Sequence, residues 1–246
     1  MEPRDYAERA ESATLPRGDE ERFSGWGVMG LPFRSGHILA ARRFPASSVG
    51  PGYTSVWHRS PNGDWTFYSN APPLQSCNRY FGAQVEGFVQ TEIAVQWPGP
   101  RSLHISLPDA RFEWRSAISA TAVTRALNLI GSVMPDAMWK NNHVLGLMAP
   151  IAGSLLQAGR VSMHGRAPNG QSFIANPLRV WTIDRAKAAL SGEEFGPPGP
   201  VSPQAKLGDF IIPQRGIFVI GRAFFEPYDP ALHLATATRS GSEITA

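Results

Sequence analysis

Short strand-like segments, each ending at a turn residue, recur along most of this chain and constrain its fold more than any other feature. They are rich in aromatic and β-branched residues and are bounded by Gly, Pro and Asn. Gly and Pro supply 24 and 22 of the 246 residues, enough to end every segment in a turn. The predicted strands are residues 37–44, 53–59, 65–70, 92–97, 102–107, 112–119, 160–166, 172–175, 180–184 and 216–225. This pattern predicts a mainly β protein, with an antiparallel barrel or paired β-sheets.

Two of the turns share the same chemistry. Pro61-Asn62-Gly63 follows the predicted strand that ends at Arg59, and Pro168-Asn169-Gly170 follows the one that ends at Arg166. Asn and Gly tolerate the positive φ angles of tight hairpins, so both segments are predicted to be hairpin turns. The likeness between residues 59–63 and 166–170 fits an internal duplication, but it fits as well two independent hairpins that use the same turn residues.

A mostly apolar stretch in the middle of the chain has helical rather than strand character. Residues 122–133 and 136–157 are predicted to form a helical hairpin, with Pro135 at a first-turn position and Gly159 as the stop signal. So many apolar residues require the hairpin to pack on the sheet or to cap its opening. A cap containing Met134, Met138 and Met148 would adapt to ligands of varied shape. The alternative is ordinary core that fills one end of a barrel.

The two ends of the chain lack apolar periodicity. Residues 1–24 are therefore predicted to be a disordered tail, residues 229–246 a flexible tail, and residues 25–228 a single β-rich domain with the helical insert at about 122–157. The polar start has no apolar signal-peptide core, and Cys77 is the only cysteine, which excludes an internal disulfide. Both observations predict a cytoplasmic protein.

Charge and motif content exclude several classes of function. The net charge is +3, with −3 in residues 1–24 and therefore +6 in the remainder, but no run of Lys and Arg predicts nucleic-acid binding. The six histidines are scattered, so no metal site is predicted. The sequence contains no G-x-S-x-G, Walker A or G-x-G-x-x-G motif in a suitable context, and no cofactor is predicted.

Candidate ligand-binding residues cluster in three aromatic or polar segments. An arginine among aromatic rings can keep its charge and orient the polar end of an apolar ligand. We therefore predict that the face carrying Trp57 and Arg59, with Tyr68, Arg79 and Tyr80, borders the principal cavity. Cys77 is either a reactive thiol or, more simply, an inert buried one. The full candidate set is Trp57, His58, Arg59, Tyr68, Cys77, Arg79, Tyr80, Gln214 and Arg215, the last two being alternatively turn anchors.

Three short patterns resemble a known superfamily. They are W-x-R at residues 57–59, N-G-x-W-x-F-Y at 62–68, and the closing Phe224-Phe225-Glu226. Together they resemble the lipocalin-like superfamily that contains hydroxyneurosporene synthase and tocopherol cyclase. The resemblance implies a lipocalin-like barrel with a cavity for terpenoid, lipid or polyketide-like molecules, and hydration or cyclisation of alkenes by acid chemistry. The helical insert departs from an ordinary lipocalin.

Three functional hypotheses follow. The first is binding of a largely apolar small molecule, with cofactor-free isomerase, cyclase or hydratase chemistry. It requires an acid, and Glu113, Asp184 and Glu226 are the candidates because burial among aromatic residues would raise a carboxyl pKa. The second is a non-catalytic lipid carrier or sensor with the helices as a gate. The third is a protein whose apolar helices make transient contact with a membrane surface or bind a partner chain. The oligomeric state is left open.

Overall fold

The computed structural model describes residues 1–234, which form strands, helices and short connections. The strands are β1 (Glu21–Pro32), β2 (Ile38–Ser47), β3 (Tyr53–Arg59), β4 (Trp65–Ser69), β5 (Gly87–Gln90), β6 (Ala94–Gly99), β7 (Ser102–Leu107), β8 (Phe112–Ser119), β9 (His164–Arg166), β10 (Ser172–Leu190), β11 (Glu193–Glu194), β12 (Lys206–Leu207), β13 (Phe210–Ile211) and β14 (Gly216–Phe225). The helices are α1 (Pro3–Ala10), α2 (Asn78–Phe81), α3 (Ala122–Val133), α4 (Asp136–Trp139) and α5 (Asn142–Leu155).

One large sheet dominates the fold. Its strand order is β5-β4-β3-β2-β1-β14-β10-β8-β7-β6, and β9 and β11 pair with β10 outside this path. Every pairing in it is antiparallel except that of β4 with β5. The sheet curls strongly into a half-barrel, and the prediction of a mainly β protein is confirmed. Strand β10 is continuous where the sequence predicts two strands, because a bulge between Pro177 and Arg179 shifts the register without ending the pairing.

Apolar side chains pack on both faces of this sheet, because neighbouring residues of a strand point to opposite sides. In β3, Val56 belongs to the core of the first face and Trp57 to the core of the second. The first face is covered in part by α1, through Ala7 and Ala10. The second face is covered in part by α3, α4 and α5, which we call the lid.

The N-terminal segment differs from the predicted disordered tail. Residues 3–10 form α1, with Pro3 in its first turn and a capping box between Glu2 and Asp5, and β1 begins at Glu21. The sequence signal is weak because the buried contacts come mainly from small residues, Ala7 and Ala10. Of the predicted C-terminal tail, residues 235–246 lie outside the described part of the chain.

Both predicted hairpin turns and the first predicted helix are confirmed. Arg59 pairs with Trp65 and Arg166 with Ser172, both antiparallel, across the two Pro-Asn-Gly turns. Helix α3 has the predicted bounds. The second predicted helix is divided into α4 and α5, because the Asn141 side chain accepts hydrogen bonds from two backbone N–H groups and starts a new helix. None of the described helices combines the length and apolar character needed to cross a bilayer.

Candidate functional site

A cavity of about 190 Å³ lies between the second face of the sheet and the lid. The sheet contributes aromatic side chains and the backbone of Gly25, Gly27 and Gly221 to the lining. The lid contributes Leu127, Ile130, Met148, Ala152 and Leu156. Almost all other lining residues are apolar as well. A dry apolar cavity of about 150 Å³ in another protein admits benzene, so this one is large enough for a small apolar molecule.

Two arginines interrupt the apolar lining. Arg222 is partly exposed and pairs with Asp136. The other is Arg42 on β2, which is only 5% exposed. Its guanidinium lies 4.7 Å from the Trp57 ring centroid and 5.4 Å from that of Phe210. Within residues 1–234, no carboxylate forms an ion pair with it. Burial lowers the pKa of Arg42 to about 10, so the side chain remains charged at neutral pH. The cavity therefore holds a buried positive charge whose counter-ion is not a side chain of the described residues.

Backbone carbonyl groups use part of the hydrogen-bonding capacity of Arg42. Nη1 donates to the Ala41 oxygen at 2.9 Å and to that of Val28, and Nη2 donates to the Met29 oxygen at 3.4 Å. These carbonyls border a bulge in the pairing of β1 with β2. A guanidinium has five N–H donors, so these three bonds leave two for a ligand. A carboxylate accepts two hydrogen bonds when it forms a bidentate pair with a guanidinium.

Beside Arg42 lies a cluster of neutral polar groups. The Tyr53 hydroxyl lies 3.2 Å from Cys77 Sγ, and the Ser55 hydroxyl donates to the same sulfur at 3.6 Å. Trp57 Nε1 donates to Ser55 Oγ at 3.2 Å. Burial raises the pKa of the Cys77 thiol and that of the Tyr53 hydroxyl. Both groups are therefore protonated at neutral pH and supply no charge to balance Arg42, and Cys77 fits the description of an inert buried thiol.

Asn176 on β10 is a second buried polar residue in the cavity wall. Its side chain is 3% exposed, and its Oδ1 atom has no hydrogen-bond partner among the described residues. An unpartnered acceptor is costly in an apolar cavity unless a ligand or a water molecule donates to it. Asn176 therefore offers an acceptor to any ligand that carries a hydroxyl or N–H group.

Three attachments hold the lid on the sheet. Asn128 of α3 accepts from the Val180 N–H at 2.6 Å and donates to the Val180 carbonyl oxygen at 3.0 Å. Helix α4 is held by an ion pair between Asp136 and Arg222, and Lys140 pairs with Glu20. These ion pairs are partly exposed and contribute little to stability. Helix α3 is therefore fixed to β10 by hydrogen bonds, whereas α4 depends mainly on the packing of its buried Trp139.

The structure brings some of the predicted site residues into the cavity lining and places others elsewhere. Trp57, Cys77 and Tyr80 line the cavity. Arg59 lies at the tip of the first hairpin, close to Gly63, and is not part of the lining. Tyr68 packs in the core of the first face, because it has the opposite side-chain direction to Phe67. Arg59 therefore does not supply the buried guanidinium of the cavity, which is that of Arg42.

Arg79 has a structural environment. It pairs with Glu21 at 2.6 Å and its guanidinium lies 5.1 Å from the Tyr228 ring centroid. The Tyr80 hydroxyl donates to Glu21 at 2.7 Å while its ring faces the cavity. Burial raises the pKa of Glu21, but hydrogen bonds from Arg79, Tyr80 and Gln171 outweigh it and leave the pKa lowered. This network fixes α2 to the start of β1.

Gln214 and Arg215 anchor loops. The Gln214 side chain accepts from the Val201 N–H at 2.9 Å and donates to the Val201 oxygen at 2.6 Å. Arg215 pairs with Asp184 and donates to the Leu156 carbonyl oxygen at 3.3 Å, next to the end of α5. Both contacts match the turn-anchor interpretation of these residues.

The three candidate acids lie outside the cavity lining. Glu113 is exposed and pairs with His104, Asp184 pairs with Arg215, and Glu226 pairs with His233. Burial raises the pKa of Glu226, but hydrogen bonds from Ser172 and His233 leave it lowered. A proton donor needs the opposite shift. The placement of these carboxylates therefore does not support an acid-catalysed reaction in the cavity.

His58 lies on the first face, away from the cavity. Its Nε2 atom is 2.9 Å from Nδ1 of His37, and its ring stacks on Phe195 with the centroids 5.2 Å apart. Burial, and secondarily His37, lower the pKa of His58 to about 4. The side chain is therefore neutral in the folded protein at neutral pH, and it belongs to the core and not to the site.

This shift predicts a loss of stability in mild acid. Because the folded-state pKa lies below the unfolded value of about 6.5, the contribution of His58 is complete above pH ~6.5 and is lost as the pH falls towards 4. We expect the loss to approach about 3 kcal/mol. The free energy of unfolding is measured in urea at pH 7 and at pH 4.5. His58→Gln should reduce the difference between the values at the two pH values, whereas His143→Gln, at an exposed position, should not. Equal pH dependence in both variants would contradict the assignment.

The sequence does contain a signal for Arg42. Along β2, Ile38, Ala40, Arg42 and Phe44 alternate with the other face, so Arg42 shares a face with apolar residues. A charged residue on an apolar strand face marks a candidate site. Asn176 has no comparable signal, because its lack of a partner depends on contacts between distant parts of the chain.

Comparison with known proteins gives little similarity. No protein-family model matches the sequence, and a search of curated proteins finds no match. Among solved structures, acetoacetate decarboxylase from Legionella pneumophila aligns with a TM-score of 0.37 and 11% sequence identity, over 91% of this chain and 90% of that one.

Proposed function

We propose that this protein binds an apolar small molecule that carries one carboxylate, with the apolar part under the lid and the carboxylate on Arg42. The observation that carries the proposal is the buried Arg42 guanidinium, which faces an apolar cavity and has no carboxylate partner among residues 1–234. A buried charge without a counter-ion is strongly unfavourable. A ligand carboxylate would remove this cost and would thereby gain affinity.

The chemistry around Arg42 favours a single negative charge. Tyr53 and Cys77 are neutral because burial raises the pKa of each. A phosphate monoester would bring nearly two negative charges at neutral pH, and only one guanidinium balances them at this end of the cavity. A carboxylate brings one charge and accepts two parallel hydrogen bonds.

The rest of the cavity selects for apolar shape more than for specific contacts. Met29, Met148 and Met163 lie in its lining, and the flexible methionine side chain adapts to different ligand surfaces. Terpenoid, fatty and aromatic carboxylic acids are the matching classes. The ligand types implied by the lipocalin-like resemblance overlap with these classes.

The lining favours a carrier or sensor over an acid-catalysed enzyme. Among the described residues that line the cavity, none is Asp, Glu or His. The protonated Tyr53 and Cys77 are weaker acids than usual, because burial raises both pKa values. Protonation of an alkene, as isomerase, cyclase or hydratase chemistry requires, has no suitable donor in this lining.

The proposal predicts that acids bind and their esters do not. Geranic, decanoic and 4-phenylbutyric acids, each paired with its methyl ester, differ mainly in the negative charge. At a ligand concentration of about 100 Kd, an acid should stabilise the protein by about 2.7 kcal/mol, visible as a rise in Tm of several degrees. The esters should give little or no rise. If acids and esters stabilise the protein equally, Arg42 does not recognise the ligand; if none binds at any concentration, the ligand class is wrong.

A further inference from the structure

The lid has an apolar outer face in addition to its apolar inner face. In α5, Leu145, Ala149 and Gly153 are buried, whereas Leu147, Ile151 and Leu155 are 71%, 59% and 49% exposed. A helix that is apolar all round is normally buried in a large core or in lipid. Helix α5 is not enclosed by a core on its outer side, so this outer face lacks a partner among the described residues.

The exposed apolar side chains are concentrated on the lid. Of the twelve large apolar side chains exposed within the described part of the chain, seven lie there. We call these seven the lid patch: Leu129, Ile130, Val133, Met138, Leu147, Ile151 and Leu155. A concentration of exposed apolar side chains of this kind is typical of a contact with another molecule or with a membrane.

The stretch of sequence that carries the lid patch is predominantly basic. Between Glu113 and Asp184 the sequence contains a single acidic residue, Asp136, and that residue pairs with Arg222. Arg125 is exposed on α3, and Arg179 donates to the Asn128 carbonyl oxygen of the same helix. The same interval contains six basic residues: Arg115, Arg125, Lys140, Arg160, Arg166 and Arg179. An apolar face with basic surroundings complements an anionic lipid surface.

The same charges disfavour a second copy of this chain as the occupant. In a symmetric dimer each lid patch would face the other, so the basic residues around both patches would come together. Like charges across an interface are unfavourable. A bilayer with anionic headgroups provides both the apolar interior and the opposite charge.

The lid patch is also continuous with the cavity. Ile130 is 54% exposed on the patch and at the same time lines the cavity. We propose that the lid patch docks on the surface of an anionic lipid bilayer, which places the cavity against the membrane. The docking does not depend on the identity of the ligand. If the ligand is an apolar acid, it would reach the cavity directly from the lipid.

Flotation of the full chain with lipid vesicles tests the docking. We expect the protein to bind vesicles of phosphatidylcholine mixed with phosphatidylglycerol and to bind vesicles of phosphatidylcholine alone more weakly. Added salt should weaken binding to the mixed, anionic vesicles. Leu147→Ser combined with Ile151→Ser should reduce the bound fraction at least about tenfold. Both side chains are exposed, so the fold should be retained.

The matched control removes two exposed leucines elsewhere. Leu232 and Leu234 are 77% and 62% exposed, and Leu232→Ser combined with Leu234→Ser should bind vesicles like the wild type. No flotation of the wild type, or equal loss in both double variants, would overturn the proposal. A dimer of the wild type in size-exclusion chromatography that dissociates in the lid variant would overturn it in favour of a second copy.

Discussion

Arg42→Met should lower the affinity for apolar carboxylic acids by about a hundredfold or more while changing the free energy of unfolding by only about 1 kcal/mol. Truncating one partner of a buried, hydrogen-bonded charge pair costs about 2–5 kcal/mol of binding, which corresponds to this loss of affinity. The ligand carboxylate would otherwise be buried beside Trp57 and Phe210 without a counter-charge.

Stability should change little because two effects oppose each other. Burial lowers the pKa of Arg42 from its usual value to about 10, so keeping the side chain charged at neutral pH costs roughly 3 kcal/mol. The methionine removes that cost. It also removes the hydrogen bonds to the carbonyl oxygens of Val28, Met29 and Ala41, which contribute about 1 kcal/mol or more each.

Arg43 provides the matched control. It is the next residue of β2 and points to the other side, where it pairs with Glu11 at 2.7 Å. The test compares Arg42→Met, Arg42→Lys and Arg43→Met. Calorimetric titration with decanoic acid measures ligand binding, and urea unfolding measures stability. Arg43→Met should bind decanoic acid normally, and Arg42→Lys should retain part of the affinity. If Arg42→Met loses several kcal/mol of stability but still binds the acid, Arg42 is a structural residue only.

The local patterns of the sequence predicted much of the fold. Strands β3, β7, β8 and β14 have the predicted bounds, because alternating side chains and the flanking Gly, Pro and Asn residues are local signals. The lid helices and both hairpin turns depend on equally local signals. Strand β1 was not predicted, because its three glycines, at positions 25, 27 and 30, interrupt the strand pattern in the sequence. In the structure, Gly25 and Gly27 allow the backbone of β1 to approach the backbone of β2 closely.

The site was predictable only in part. Strand alternation puts Trp57 on the face that the lid covers, and Cys77 and Tyr80 also lie in the cavity lining. Alternation along β2 marks Arg42 as a charge on an apolar strand face, but whether that face borders a cavity depends on where the lid packs. The partners of the three carboxylates are also distant: Arg215 lies 31 positions from Asp184. Such pairing decides whether a carboxylate is neutralised at the surface or buried as an acid.

The close approach of β1 to β2 predicts the largest effect on stability. A Cβ atom at Gly25 would lie 2.0 Å from the Arg43 carbonyl oxygen and 3.0 Å from Phe44 Cα. Both are backbone atoms, which cannot rotate away as a side chain can. Gly25→Ala must therefore separate the two strands at the bulge between Ser24 and Trp26 and displace the strand that carries Arg42. We expect a loss of at least about 3 kcal/mol in the free energy of unfolding.

Gly99→Ala is the control for this substitution, since a Cβ atom there would meet only Ser102, at 3.6 Å or more. It should change the free energy of unfolding by less than about 1 kcal/mol. Urea unfolding followed by circular dichroism measures the free energy of unfolding of both variants. The rise in Tm on addition of decanoic acid shows whether the cavity still binds its ligand. If Gly25→Ala is insoluble while Gly99→Ala is soluble, the expected order of stability of the two variants holds. Wild-type stability in Gly25→Ala would mean that the curl of the sheet does not require this close approach, and that the position of Arg42 has another cause.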